Sequence, residues 1–123
     1  MKLHLNTTAG LNAITGHGEG YVTVNNLQID RAVIVTPDKI IDPWPVGNVS
    51  ALTLADFANL LELQPELVVF GSGKVFCFPD PRIMAAFAQA RVGFEVMDTA
   101  AACRTYNVLM SEGRNVAAAL LVF

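Results

Sequence analysis

The stretch "EVMDTAAACRTYNVLMSEGRNVAAALLVF", residues 95–123, decides how this chain folds. Phe94–Met97 reads as a strand, and Asp98 or Thr99 supplies a helix cap. The helix closes near Gly113, and Val116–Phe123 reads as a second strand. At about 100° per residue, Ala102, Cys103, Tyr106, Leu109 and Met110 gather on one helical face, the pattern of a core-facing stripe. Arg104, Asn107 and Ser111 line the adjoining edge. Glu112 and Arg114 dress the helix end, where Arg114 is within reach of pairing with Asp98 or Glu95.

Upstream, the same rhythm repeats back to residue 50. Ser50 or Thr53 caps a helix carrying Leu54, Phe57, Leu60 and Leu61, and Pro65 ends it. Leu67–Phe70 is a continuous apolar run, the type of strand covered on both faces. Asp80 as cap, Pro81 in the first turn and Gly93 beyond the end frame another helix, with Ile83, Met84 and Phe87 toward the core. Short strands alternating with helices of this length predict βαβ units and a mostly parallel sheet flanked by helices.

Residues 1–48 read differently. Leu11–Thr15, Tyr21–Val24 and Ala32–Thr36 are β-rich runs, with "GHGEG" (Gly16–Gly20) as a hairpin loop and Asn25-Asn26 as a turn. This antiparallel meander either pairs with an edge of the main sheet or forms a small sheet of its own. "IIDPWPVGN" then reads as a surface connector, because Pro43 and Pro45 cannot donate to a ladder. Trp44 on that connector is the best single candidate for a contact surface, with packing onto the domain edge as the equal alternative.

Bulk properties narrow the function. The chain has 123 residues, 53% of them hydrophobic and 15% charged, and this predicts a single α/β domain over residues 1–123 with a large core. A net charge of −3, with the basic residues scattered singly, argues against nucleic acid. No apolar run is long enough to span a membrane, and Met1–Gly10 lacks the pattern of a signal peptide. Cys77 and Cys103 form no metal-type pair, so reduced thiols in a cytoplasmic setting are expected.

Chemistry-bearing residues are few. In "FGSGK" (Phe70–Lys74), glycines at the end of a buried strand can turn backbone amides toward an anion, with Lys74 beside them. The stretch matches neither the P-loop nor the dinucleotide fingerprint. Ligands of open parallel sheets sit beyond the carboxyl ends of strands. Gly71, Ser72, Gly73, Lys74, Asp98, Thr99, Arg104 and Asn107 therefore form a candidate pocket rim. Against it stand ordinary roles: a tight turn, an N-cap and a hydrogen-bonded network. Cys103 as nucleophile needs a base, and the histidines, His4 and His17, lie in the distant N-terminal third. No catalytic residue, metal site or cofactor is assigned.

Taken together, "VVFGSGK", the long C-terminal block, "VTPD" (Val35–Asp38) and Trp44 resemble a family of small single-domain proteins. That family takes in a mitochondrial respiratory complex I assembly factor, a mammalian adipogenesis-associated protein and many uncharacterised bacterial proteins. Its marker positions fall here on Gly71, Gly73, Asp98, Thr99, Arg104, Asn107, Glu112 and Arg114. The resemblance implies a three-layer fold: a central mixed sheet, helices on one side, and a β-hairpin layer with a helix on the other. For the mitochondrial relative it implies a non-catalytic role, binding assembly intermediates together with a second assembly factor.

Mitochondrial members carry a targeting segment in front, so a chain that starts at the domain fits a bacterial, cytoplasmic setting. The expected function is a protein-interaction or assembly-factor-like domain with a protein partner, among which respiratory assembly intermediates are included. The alternative is a small-molecule or anion-binding protein, enzymes included, using the Gly71-Ser72-Gly73 turn and the Asp98 cap. Homodimerisation is compatible with either.

Overall fold

A computed structural model describes residues 10–123; His4 and the start of the chain lie outside the described residues. The strands are β1 (Ile14–Gly18), β2 (Tyr21–Val24), β3 (Leu27–Ile29), β4 (Val33–Val35), β5 (Ile40–Ile41), β6 (Leu67–Gly71), β7 (Gly93–Met97) and β8 (Val116–Leu120). The helices are α1 (Ala58–Leu63), α2 (Pro81–Gln89) and α3 (Thr99–Ser111). A short 3-10 turn, Leu54–Phe57, leads directly into α1.

Two sheets result. The larger has the order β5-β4-β8-β6-β7. Within it β6 runs parallel to both β7 and β8, while β4 lies antiparallel to β8 and β5. Parallel neighbours need a crossover, which α2 and α3 provide. The smaller sheet is β1-β2-β3, wholly antiparallel. The N-terminal meander thus divides: its first strands form a sheet of their own, and β4 and β5 join the main one.

Both faces of the central sheet are covered, which is why Val68, Val69, Phe70 and Val116–Leu120 can all be apolar and buried. One core joins α3 and the small sheet to one face through Val22, Val24, Val69, Ala118, Tyr106 and Met110. The other packs α1, α2 and the Trp44 segment through Phe57, Leu60, Phe70, Ile83 and Phe87. This is the three-layer α/β arrangement that the family resemblance implies.

Local signals set most boundaries. The Asp80 carboxylate accepts from Arg82 N at 2.8 Å with Pro81 opening α2, and Asp98 accepts from Ala101 N at 2.9 Å at the start of α3. Thr53 starts the 3-10 turn, its N–H bound to the Asp56 carboxylate at 2.8 Å.

Several expectations are corrected. "GHGEG" is not all loop: Gly16–Gly18 belong to β1, and the chain reverses between Gly18 and Tyr21. Asn25 and Asn26, both at positive φ, join β2 to β3 rather than to Val33–Val35. Gly93 lies beyond the end of α2 as expected but already opens β7, and the residue at positive φ between them is Arg91, φ 60°. Trp44 is 3% exposed and not a surface contact; its indole donates to Asp56 O at 2.9 Å and its ring meets Phe57 edge-on. The prolines free that segment from the ladder, and the largest side chain in it folds inward because burial of a Trp outweighs the exposure of its neighbours.

Candidate functional site

The glycine turn and the cap of α3 are neighbours. Gly71 pairs with Met97 in the β6–β7 ladder, so the chain leaves both strands at one end of the sheet. Ser72 N donates to Met97 O at 2.8 Å and Thr99 N to Gly73 O at 2.9 Å. The Thr99 hydroxyl then accepts from Gly73 N at 2.9 Å and donates to Leu121 O at 2.6 Å. This buried hydroxyl ties three segments: the turn after β6, the start of α3 and the exit of β8. Gly71 is needed for the close approach, since a Cβ there would lie 3.0 Å from Thr99 Cα and Oγ1.

Ser72 faces the following loop. Its hydroxyl donates to Val75 O at 2.6 Å and accepts from Cys77 N at 3.0 Å. Every polar atom just named has a partner within the chain, so the Ser72 and Thr99 hydroxyls and the Gly73 amide are already engaged.

The remaining rim residues go elsewhere. Lys74 and Arg104 are exposed. Asn107 serves β1: its amide accepts from Ile14 N at 2.9 Å and donates to Ile14 O at 2.6 Å, standing in for a neighbouring strand at that edge. The Tyr106 hydroxyl donates to Asn12 O at 2.8 Å, and the Asn12 amide donates to Thr36 O and Lys39 O at 2.9 and 3.1 Å. Asn107 and Tyr106 therefore fasten the first strand of the small sheet and the residues before it to α3, while the Ser111 hydroxyl bonds back to Val108 O within the helix. Arg114 pairs with Glu66, at 2.7 and 2.9 Å, and not with Asp98 or Glu95. That bond holds the Glu66 carboxyl below the usual carboxylate range.

The Cys103 thiol is 3% exposed, and burial pushes it up to about 11, with the Arg104 charge pulling it partly back. At neutral pH it is a protonated thiol, a poor nucleophile. Burial likewise raises the Tyr106 phenol, helped by the charge of Asp38.

These shifts predict a pH effect. A thiol whose folded value exceeds its unfolded one holds its proton more tightly when folded. Its contribution is intact below about pH 9, the ordinary value of a free thiol, and is lost as pH rises toward about 11. Denaturant titrations at pH 8 and 10.5 should show a loss of about 2 kcal/mol, and Cys103→Ala should shrink it.

Two clefts open away from the turn. One of about 350 Å³ is lined by Leu52, Thr53, Leu54, Asp80, Arg82 and Ile83. The other, about 400 Å³, is bounded by Leu11, Pro37, Asp38, Met110 and Gly113–Asn115. Sequence reasoning also passed over "KVFCF" (Lys74–Phe78), where Val75, Phe76 and Phe78 are 67%, 54% and 60% exposed. The signal was there: an apolar run too short for an element, placed after a strand that is already complete. No helix among the described residues is long and apolar enough to cross a membrane.

The architecture is that of a known class. A Bordetella parapertussis protein of known structure superposes with TM-score 0.87 at 35% identity, covering 94% of this chain and 98% of that one. A Bordetella pertussis structure described as a Mth938-like domain gives 0.78 at 31%, covering 92% and 87%. This is a three-layer α/β protein of the Mth938-like kind. Residues 14–121 match the family described as "Protein of unknown function (DUF498/DUF598)", and the chain belongs to it. Among curated relatives, the Xenopus tropicalis "NADH dehydrogenase [ubiquinone] 1 alpha subcomplex assembly factor 3" is 36% identical over 103 residues, 74% of this chain. The chain spans about half the length of the assembly factors it matches, 56% of the Xenopus one.

Proposed function

We propose that this chain is a non-catalytic protein-binding domain of the bacterial cytoplasm that assists assembly of a respiratory NADH dehydrogenase. The observation that carries the reading is its likeness to the named assembly factors across most of its length. The exposed Val75, Phe76 and Phe78 agree with it, since contiguous apolar surface marks interaction sites. We take residues 1–123 as one domain, and Gly71, Ser72, Gly73, Asp98 and Thr99 as the support of the exposed loop rather than as ligand contacts. The engagement of the Ser72 and Thr99 hydroxyls and the Gly73 amide within the chain favours this over the anion-binding alternative. The test is deletion of the gene in its host, followed by native-gel measurement of assembled NADH dehydrogenase. Assembled complex should fall several-fold and return on re-expression; unchanged assembly would overturn the reading.

A further inference from the structure

In a parallel ladder, alternate residues of a strand turn both backbone polar groups to the same neighbour. Gly93 N donates to Glu66 O at 3.1 Å and Met97 O accepts from Ser72 N at 2.8 Å, so Gly93, Glu95 and Met97 face β6. The N–H and C=O groups of Phe94 and Val96 consequently point away from the sheet, and β7 is its terminal strand. Among the described residues nothing bonds to them. Exposed strand edges are usually blunted, and at two other edges of this molecule they are. The Asn107 amide occupies the edge of β1 at Ile14, and β5 is only Ile40–Ile41, with Pro43 close behind it. Among the described residues the β7 edge has no such cover.

Just past the end of this edge lies the aromatic loop. The Phe76 and Phe78 rings meet edge to face, 4.8 Å between centroids. The two bonds of the Ser72 hydroxyl brace the loop from within. Across Phe70–Pro79 Lys74 is the lone charge.

We infer that β7 receives an extended segment of a partner protein as an added strand, with a Lys or Arg opposite Glu95 and apolar residues reaching the Phe76–Phe78 loop. This rests on the protein-binding reading above. Addition of a strand uses the main-chain groups of Phe94 and Val96, while side chains set which strand is accepted. Glu95 is exposed on β7 and decides the charge. A second copy of this chain is disfavoured for the same reason. The two-fold antiparallel register that engages all the outward groups bonds Phe94 to Val96 of the other copy. It also sets Glu95 directly against Glu95 at the close, non-hydrogen-bonded position, where like charges repel. A basic residue in that position is attracted instead.

The test uses the intact, isotope-labelled chain and two synthetic peptides of alternating Thr and Val, one with a central Lys and one with a central Glu. The Lys peptide should slow amide exchange at Phe94 and Val96 about tenfold at ten times its Kd, and shift the Phe76 and Phe78 resonances. Glu95→Lys, an exposed change that leaves the fold intact, should reverse the preference to the Glu peptide. Any of four results overturns the inference: no protection at Phe94 and Val96, protection at another edge, equal binding of both peptides by wild type, or self-association that protects β7 without peptide. Binding of the loop to phospholipid vesicles with β7 exchange unchanged would count against it too. If deletion impairs assembly while neither peptide binds, this inference alone fails; if the peptides behave as stated while assembly is normal, the assembly role alone fails.

Discussion

Phe57→Ala should lower unfolding stability by about 3–5 kcal/mol, the largest loss expected of any single substitution considered for this protein. Phe57 is fully buried, and its ring lies 5.4–5.9 Å from those of Trp44, Phe70, Phe87 and Phe94. These neighbours come from the Pro-rich connector, β6, α2 and β7. Truncation removes both the transfer free energy of the ring and the edge-to-face contacts around it, and leaves a void that four separate elements would have to close. Domains of this size hold about 5–15 kcal/mol in total, so the variant should melt some 10–20 °C lower. Phe57→Leu keeps most of the volume and should recover about half of the loss. A melting point within a few degrees of wild type for Phe57→Ala would show that the connector and α2 collapse onto the sheet without it.

Thr99→Val should cost about 2–4 kcal/mol although it changes the side chain's shape very little. The hydroxyl serves Gly73 N–H and Leu121 C=O, both in dry surroundings. Valine satisfies neither, and a buried group left without its partner costs about 1–3 kcal/mol. Thr99→Ser retains the hydroxyl and should cost less. Thermal melts of the pair separate the hydrogen bonds from the packing. Equal melting of Thr99→Val and wild type would mean that water replaces the hydroxyl, and that the turn is more open than its hydrogen bonding indicates. Because the same residue supports the base of the aromatic loop, amide exchange at Val75–Phe78 should quicken in Thr99→Val.

The candidate rim was half legible. Gly71, Ser72, Gly73, Asp98 and Thr99 do come together, because a glycine turn and a helix cap follow adjacent parallel strands. Asn107 was misplaced in the grouping: helical spacing gives an angle about an axis and does not reveal that β1 packs at that angle. The exposed aromatic loop was overlooked since its residues read as core material one by one. Only the completed sheet shows that no layer among the described residues remains to cover them.

From sequence alone, the helix caps, the strand–helix alternation and the double-sided burial of β6 and β8 follow, because local propensity, capping and apolar period act within a few residues. Partner choice among strands does not: the insertion of β8 between β4 and β6, and the departure of β1–β3 into a second sheet, depend on contacts between residues some 90 positions apart, such as Ile14 with Asn107. The inward turn of Trp44 and the open edge of β7 belong to the same group. Burial and hydrogen-bond satisfaction are settled by the whole packed chain, and no window of sequence contains them.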